Sequence, residues 1–213
     1  METVSLPPSR LKALYAGIRI EVATIVWMLM EALVAIGSGV IAGSILLIAF
    51  GADSVIELIS GVVLLWRLTS ETTTSDMERI ASVERRATWV SALLLVLLCL
   101  YVAITTITGL VWRTEPEGSL TGILISIGAL VLMQLLARAK RGVNQRLDSA
   151  ALRADIAESI TCAYMACTVL VGLVLNAALG WWWAEYAAAL VLLYWLIGET
   201  REAFEATRGN ETE

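Results

Sequence analysis

Forty-five consecutive residues, Val22 to Trp66, carry only three charged side chains, Glu31, Asp53 and Glu57. As one helix this stretch would reach about 67 Å, more than twice the roughly 30 Å hydrocarbon core of a bilayer. It must therefore fold back on itself within a membrane. Small and turn-forming residues concentrate between Gly37-Ser38-Gly39 and Gly43-Ser44, so the hairpin belongs there. A first crossing then lies near Val22 to Val40 and a second near Ser44 to Arg67.

The remainder of the chain repeats this pattern. No charge interrupts Ala87 to Trp112 or Ser119 to Ala137, and Glu115-Pro116-Glu117-Gly118 separates these two crossings. From Ala150 to Gly198 the only charges are Arg153, Asp155, Glu158 and Glu185, with Asn176 and Gly180-Trp181-Trp182-Trp183 marking a last hairpin. The chain is 58% apolar and 16% charged, where a soluble domain has about a quarter of its residues charged. These features predict an all-α, polytopic membrane protein of six transmembrane helices. A cytoplasmic segment is expected at 1–19, the six-helix domain at 20–206 and a short cytoplasmic tail at 207–213. At 213 residues there is no room for a further soluble domain.

Of 15 basic residues, Arg113 alone falls on one side of this six-span arrangement. Lys and Arg concentrate in cytoplasmic loops, so both termini are placed in the cytoplasm of a multi-pass cell-membrane protein. Trp112 and Trp181 to Trp183 then lie at the outer interface, where indoles favour the headgroup region of the lipid bilayer. The polar stretch Met1 to Arg19, with Pro7-Pro8, is not a secretory signal. A net charge of -5 argues against a nucleic-acid partner. With no histidine, imidazole-based catalysis and metal sites are excluded, and three scattered cysteines form no CxxC pair.

An ionised carboxylate in mid-membrane costs about 2.5 to 3.5 kcal/mol on insertion scales, so Glu31, Asp53, Glu57, Asp155 and Glu158 need a common reason. Counted along ideal helices, Glu31 lies roughly 14 Å from the cytoplasmic edge, Asp53 roughly 14 Å from the outer edge and Glu158 roughly 12 Å from the cytoplasmic edge. These positions converge near the midplane from antiparallel helices. Asp53 with Glu57, and Glu158 with Cys162, each stand four residues apart and share a helix face. Together they supply four donors, the number a tetrahedral divalent transition metal needs. Asp155 and Glu31 are supporting candidates, as ligands, gates or structural acids; for Asp155, pairing with Arg153 weighs equally. Cys99 and Cys167 are ordinary core residues, and Gly37, Gly39 and Gly43 serve packing or turns.

The run Gly51-Ala52-Asp53-Ser54-Val55-Ile56-Glu57, with Ala154-Asp155-Ile156-Ala157-Glu158 and Cys162 downstream, resembles the cation diffusion facilitator (cation efflux) family. The resemblance extends over roughly Val22 to Ala206. It implies a metal site built from a pair of residues on the second helix and a pair on the fifth, here Asp53 with Glu57 and Glu158 with Cys162. Histidine and aspartate are usual at the last two positions. Trp181-Trp182-Trp183-Ala184-Glu185-Tyr186 resembles the segment entering the family's sixth helix. The chain reads as a short member without the family's cytoplasmic C-terminal metal-binding domain.

The resemblance implies a secondary transporter, not an enzyme, that exports a divalent transition-metal cation, zinc first, in exchange for protons. Zinc is then cargo, no cofactor is required, and a homodimer would rest on membrane-span contacts or short tails. The alternative is a non-transporting accessory or structural membrane protein. An aspartyl-type intramembrane enzyme fits less well, because four-residue helical spacing and a thiol partner suit metal ligation.

Overall fold

The computed structural model describes residues 8–72 and 77–209. The described residues form six helices, α1 (Pro8–Ala42), α2 (Ile45–Thr72), α3 (Met77–Trp112), α4 (Leu120–Leu147), α5 (Ala150–Leu179) and α6 (Trp182–Gly209), and no strand. The all-helical expectation holds. Five of them, α1 to α5, contain segments long and apolar enough to cross a membrane. Segment α6 falls outside this set, as Trp182, Trp183, Glu185 and Glu199 lower its mean hydropathy.

The helices extend beyond the expected crossings. Helix α1 begins at Pro8, inside the expected N-terminal segment, and α6 continues to Gly209, past residue 206. Residues 1–7, 73–76 and 210–213 of the expected cytoplasmic segments lie outside the described residues, as do the side chains of Arg79, Arg85, Arg86 and Arg208.

The first hairpin turns at Gly43, whose φ of 64° places it in the left-handed region that glycine enters freely. Gly39 remains helical. A Cβ at Gly39 would lie 2.9 Å from the Ile48 backbone nitrogen, and one at Gly51 would lie 2.9 Å from that of Ile36. These glycines let α1 and α2 approach backbone to backbone. The last hairpin turns at Gly180, also left-handed. Side-chain caps start the helices after two other turns: Ser119 accepts from Gly122 N at 3.0 Å, and Ser149 from Leu152 N at 3.4 Å.

Helix α2 is the centre of the bundle, packed against α1, α3, α5 and α6. Helix α1 also meets α4, α5 lies between α4 and α6, and α3 pairs with α6. Phe50, Leu46, Met133, Met165, Leu173 and Leu192 fill the interior. The periphery carries Val26, Leu33, Ile104, Ile107, Leu120 and Tyr194, all exposed, while Glu21, Glu31, Asp53 and Lys140 are buried. A water-soluble fold places these classes the other way round. Such a distribution suits a hydrocarbon surround, and the protein is a multi-pass membrane protein.

At the end of the bundle bearing the Gly43 and Gly180 turns, buried Glu185 joins three connections. It accepts from Asn176 Nδ2 at 2.7 Å and from Ser44 Oγ, while Asn176 also donates to Pro116 O at 3.0 Å. Ser44 in turn caps α2 by accepting from Leu47 N at 3.3 Å. Tyr186 OH donates to Thr114 O at 2.6 Å. Trp181 and Trp183 stack beside this network, with ring centroids 5.4 Å apart.

Candidate metal centre

Because α2 is surrounded by other helices, residues on its inner faces leave both water and lipid. Asp53 is 1% exposed and Glu57 5%. All four of their carboxylate oxygens are buried without a hydrogen-bond donor. Buried oxygens of this kind ordinarily have partners. Among the described residues, one group of acidic or sulfur side chains has ligand atoms close enough to hold a single ion: Asp53, Glu57 and Glu199, all within 4.8 Å of one another. Glu199 Oε1 is likewise buried without a donor.

Glu31 of α1 enters the same region beside Asp53. Its Oε1 accepts from Ser54 Oγ at 2.7 Å, and its Oε2 from Trp27 Nε1 at 2.6 Å. The close approach at Gly39 and Gly51 makes the Ser54 bond possible across the hairpin. Cys162 Sγ donates to Glu31 Oε1 at 3.9 Å, so α1, α2 and α5 meet at this carboxylate. Glu158 is half-buried, and its Oε1 accepts from Ser60 Oγ at 3.3 Å. It remains within electrostatic reach of Asp53 and Glu57.

The structure thus gathers the α2 pair with Glu199, while the α5 pair bonds to neighbours of that pair. Glu158 and Cys162 are not in the group of ligand atoms within 4.8 Å. All of these side chains are nevertheless in one polar region of the interior.

Asp155 has a different environment. Its partner is Lys140, with Nζ 2.7 Å from Oδ2 and 2.8 Å from Oδ1, rather than Arg153, which pairs with exposed Asp148. Lys140 also lies 3.1 Å from Glu21 Oε2 and donates to Ser159 Oγ at 3.4 Å. Lys140 is 1% exposed and joins α1, α4 and α5. The α-helical register explains its burial, since Lys140 follows Met133 and Ala137 on the inner face of α4.

A chain with this bundle and this buried acidic region also matches a known family. Residues 22–208 match the cation efflux transmembrane domain. The chain belongs to the cation efflux family. A comparison with curated proteins found no match. As a member of the cation efflux family, the protein is a transporter of metal cations across a membrane, and the match runs from within α1 to the end region of the less apolar α6.

Within this cation efflux protein, three inward-facing charged residues, Glu21 and Lys140 buried and Glu199 half-buried, escape the sequence reading. Glu21 stands one residue before the apolar run that begins at Val22, and Glu199 one residue after Gly198, where the last run ends. Both resemble solvated helix-end acids. The available signal was register: Ala189, Leu192, Leu196 and Glu199 recur at three- and four-residue steps, and the first three are core residues. Lys140 follows the same logic on α4.

Proposed function

We propose that this cation efflux protein exports a divalent transition-metal cation from the cytoplasm, with Asp53, Glu57, Glu158 and Cys162 handling the ion as it crosses. The observation that carries this reading is the pair of buried carboxylates on α2 whose oxygens have no donor. Removing acids from water without a counter-charge is costly, and a divalent ion supplies that charge. The helices cross six times, α6 included, with both termini cytoplasmic, as the distribution of Lys and Arg favours. On this reading the protein is a transporter and not an enzyme, and the family resemblance favours a homodimer.

Zinc leads among the cargoes because of the family, with cadmium, cobalt, iron and manganese behind it. Carboxylates and a thiol together span hard and soft preferences. Transport proceeds by alternating access. Ligands must be deprotonated to bind a metal, so protons arriving from outside release the ion and cytoplasmic metal displaces the protons. Glu31, held by Ser54, Trp27 and Cys162, supports the site from α1. Asp155 is occupied by Lys140 and serves to anchor α5.

Vesicles containing the purified protein and an entrapped pH indicator test the cycle. A zinc gradient should drive protons in the direction opposite to zinc, and zinc movement without opposing proton movement would contradict exchange.

A further inference from the structure

We infer that Glu199 of α6 is a cation ligand, the third carboxylate of the centre built on Asp53 and Glu57. This deepens the proposed function and rests on the α2 pair being the cation site. The first support is distance. Each of the three side chains offers an oxygen within 4.8 Å of the other two, a spacing that one ion between them can bridge. The second is the shortage of hydrogen-bond donors. Both oxygens of Asp53, both of Glu57 and Oε1 of Glu199 are buried without a donor, and Asp53 and Glu57 are at least nine-tenths buried. Glu21 and Asp155, by contrast, share the ammonium of Lys140.

The placement of Glu199 follows from the fold. Ala189, Leu192 and Leu196 hold one face of α6 in the core, and Glu199 continues that face. The adjacent Thr200 contacts Cys99 of α3 at 3.6 Å, which fixes the rotation of α6 at this level. Counted from the helix starts at Ile45 and Trp182, beside the Gly43 and Gly180 turns, Glu57 lies about 18 Å and Glu199 about 26 Å along their helices. Glu199 therefore reaches the α2 pair from the end of the bundle opposite those turns. A bound ion would link α2 to α6 directly.

Three carboxylates carry one more negative charge than a divalent cation neutralises. A site with Glu199 as ligand accordingly holds its ion more tightly than the α2 pair alone, and it loses affinity when that charge is removed. A structural acid in the same place would leave metal affinity unchanged.

The test is calorimetric titration of the full-length purified protein with zinc, cobalt and manganese salts, together with its melting temperature with and without metal. For the cation that wild type binds best, Glu199→Gln should lower affinity by about tenfold or more, and Glu199→Asp should retain more affinity than Glu199→Gln. The metal-free melting temperature of Glu199→Gln should equal or exceed that of wild type, which shows that the variant folds, while its rise on adding metal should shrink. Wild-type affinity in Glu199→Gln, with affinity lost in Asp53→Asn, would overturn the role of Glu199 and leave the α2 site standing. Wild-type affinity in Asp53→Asn would instead overturn the α2 site and this inference with it.

Discussion

Lys140 Nζ lies 2.7 Å from Asp155 Oδ2, both side chains enclosed by the bundle. Because Glu21 shares the same ammonium at 3.1 Å, Lys140 compensates acids from α1 and α5 at once. Removing the cation leaves two buried carboxylates without a counter-charge, and breaking buried pairs from one side costs about 3 to 5 kcal/mol. Lys140→Met should therefore lower the melting temperature of the purified protein markedly. The triple variant Lys140→Met, Glu21→Gln, Asp155→Asn should recover much of the loss, since it removes the whole charged group.

The α1 and α2 contact gives a paired prediction. Gly51→Ala should destabilise the protein, as its Cβ would meet the Ile36 backbone at 2.9 Å, whereas Gly37, with nothing within 4 Å of its Cβ position, should accept alanine. Helix propensity favours alanine over glycine by about 1 kcal/mol in a helix interior, so Gly37→Ala should melt at or above the wild-type temperature. Parallel thermal unfolding of the two variants checks this.

How much of this arrangement can be read from the chain follows from where charges and turn residues fall. The hairpins were legible because Gly43, Pro116 and Gly180 interrupt otherwise continuous apolar runs. Glu31, Asp53, Glu57 and Glu158 stand out because each sits inside such a run. Glu21, Lys140 and Glu199 do not, because each lies near the edge of a run, where a charged residue normally faces water. Their inward placement depends on helices continuing past the apolar stretch in fixed register, a tertiary property. The same holds for partner choice: Asp155 has Arg153 two residues away, yet the neighbour four positions apart or on another helix is the one within reach, and Lys140 of α4 takes that place.

At the turn end, Glu185 depends on Asn176 and Ser44 for its donors. Asn176→Leu should destabilise the protein by about 1 to 3 kcal/mol, the cost of leaving a buried polar group unsatisfied. Glu185→Gln in the same background should restore part of it, because a neutral amide is less costly to bury. Melting temperatures of the single and double variants give the coupling.

The thiol at Cys162 predicts a difference between metals. Thiolate favours soft cations and oxygen hard ones, so Cys162→Ser should weaken cadmium binding more than manganese binding. Competition titrations with the two ions measure the ratio directly. An equal change for both would remove Cys162 from the ligands and leave it as the donor to Glu31.

Export on this proposal requires the donor-free carboxylates of α2 to carry a divalent cation across the bilayer. The most direct measurement is the initial rate of metal uptake into proteoliposomes, comparing wild type with Asp53→Asn at matched protein incorporation. Uptake above that of empty vesicles in wild type, falling to the empty-vesicle level in Asp53→Asn, is the predicted result. Undiminished uptake by Asp53→Asn would contradict it.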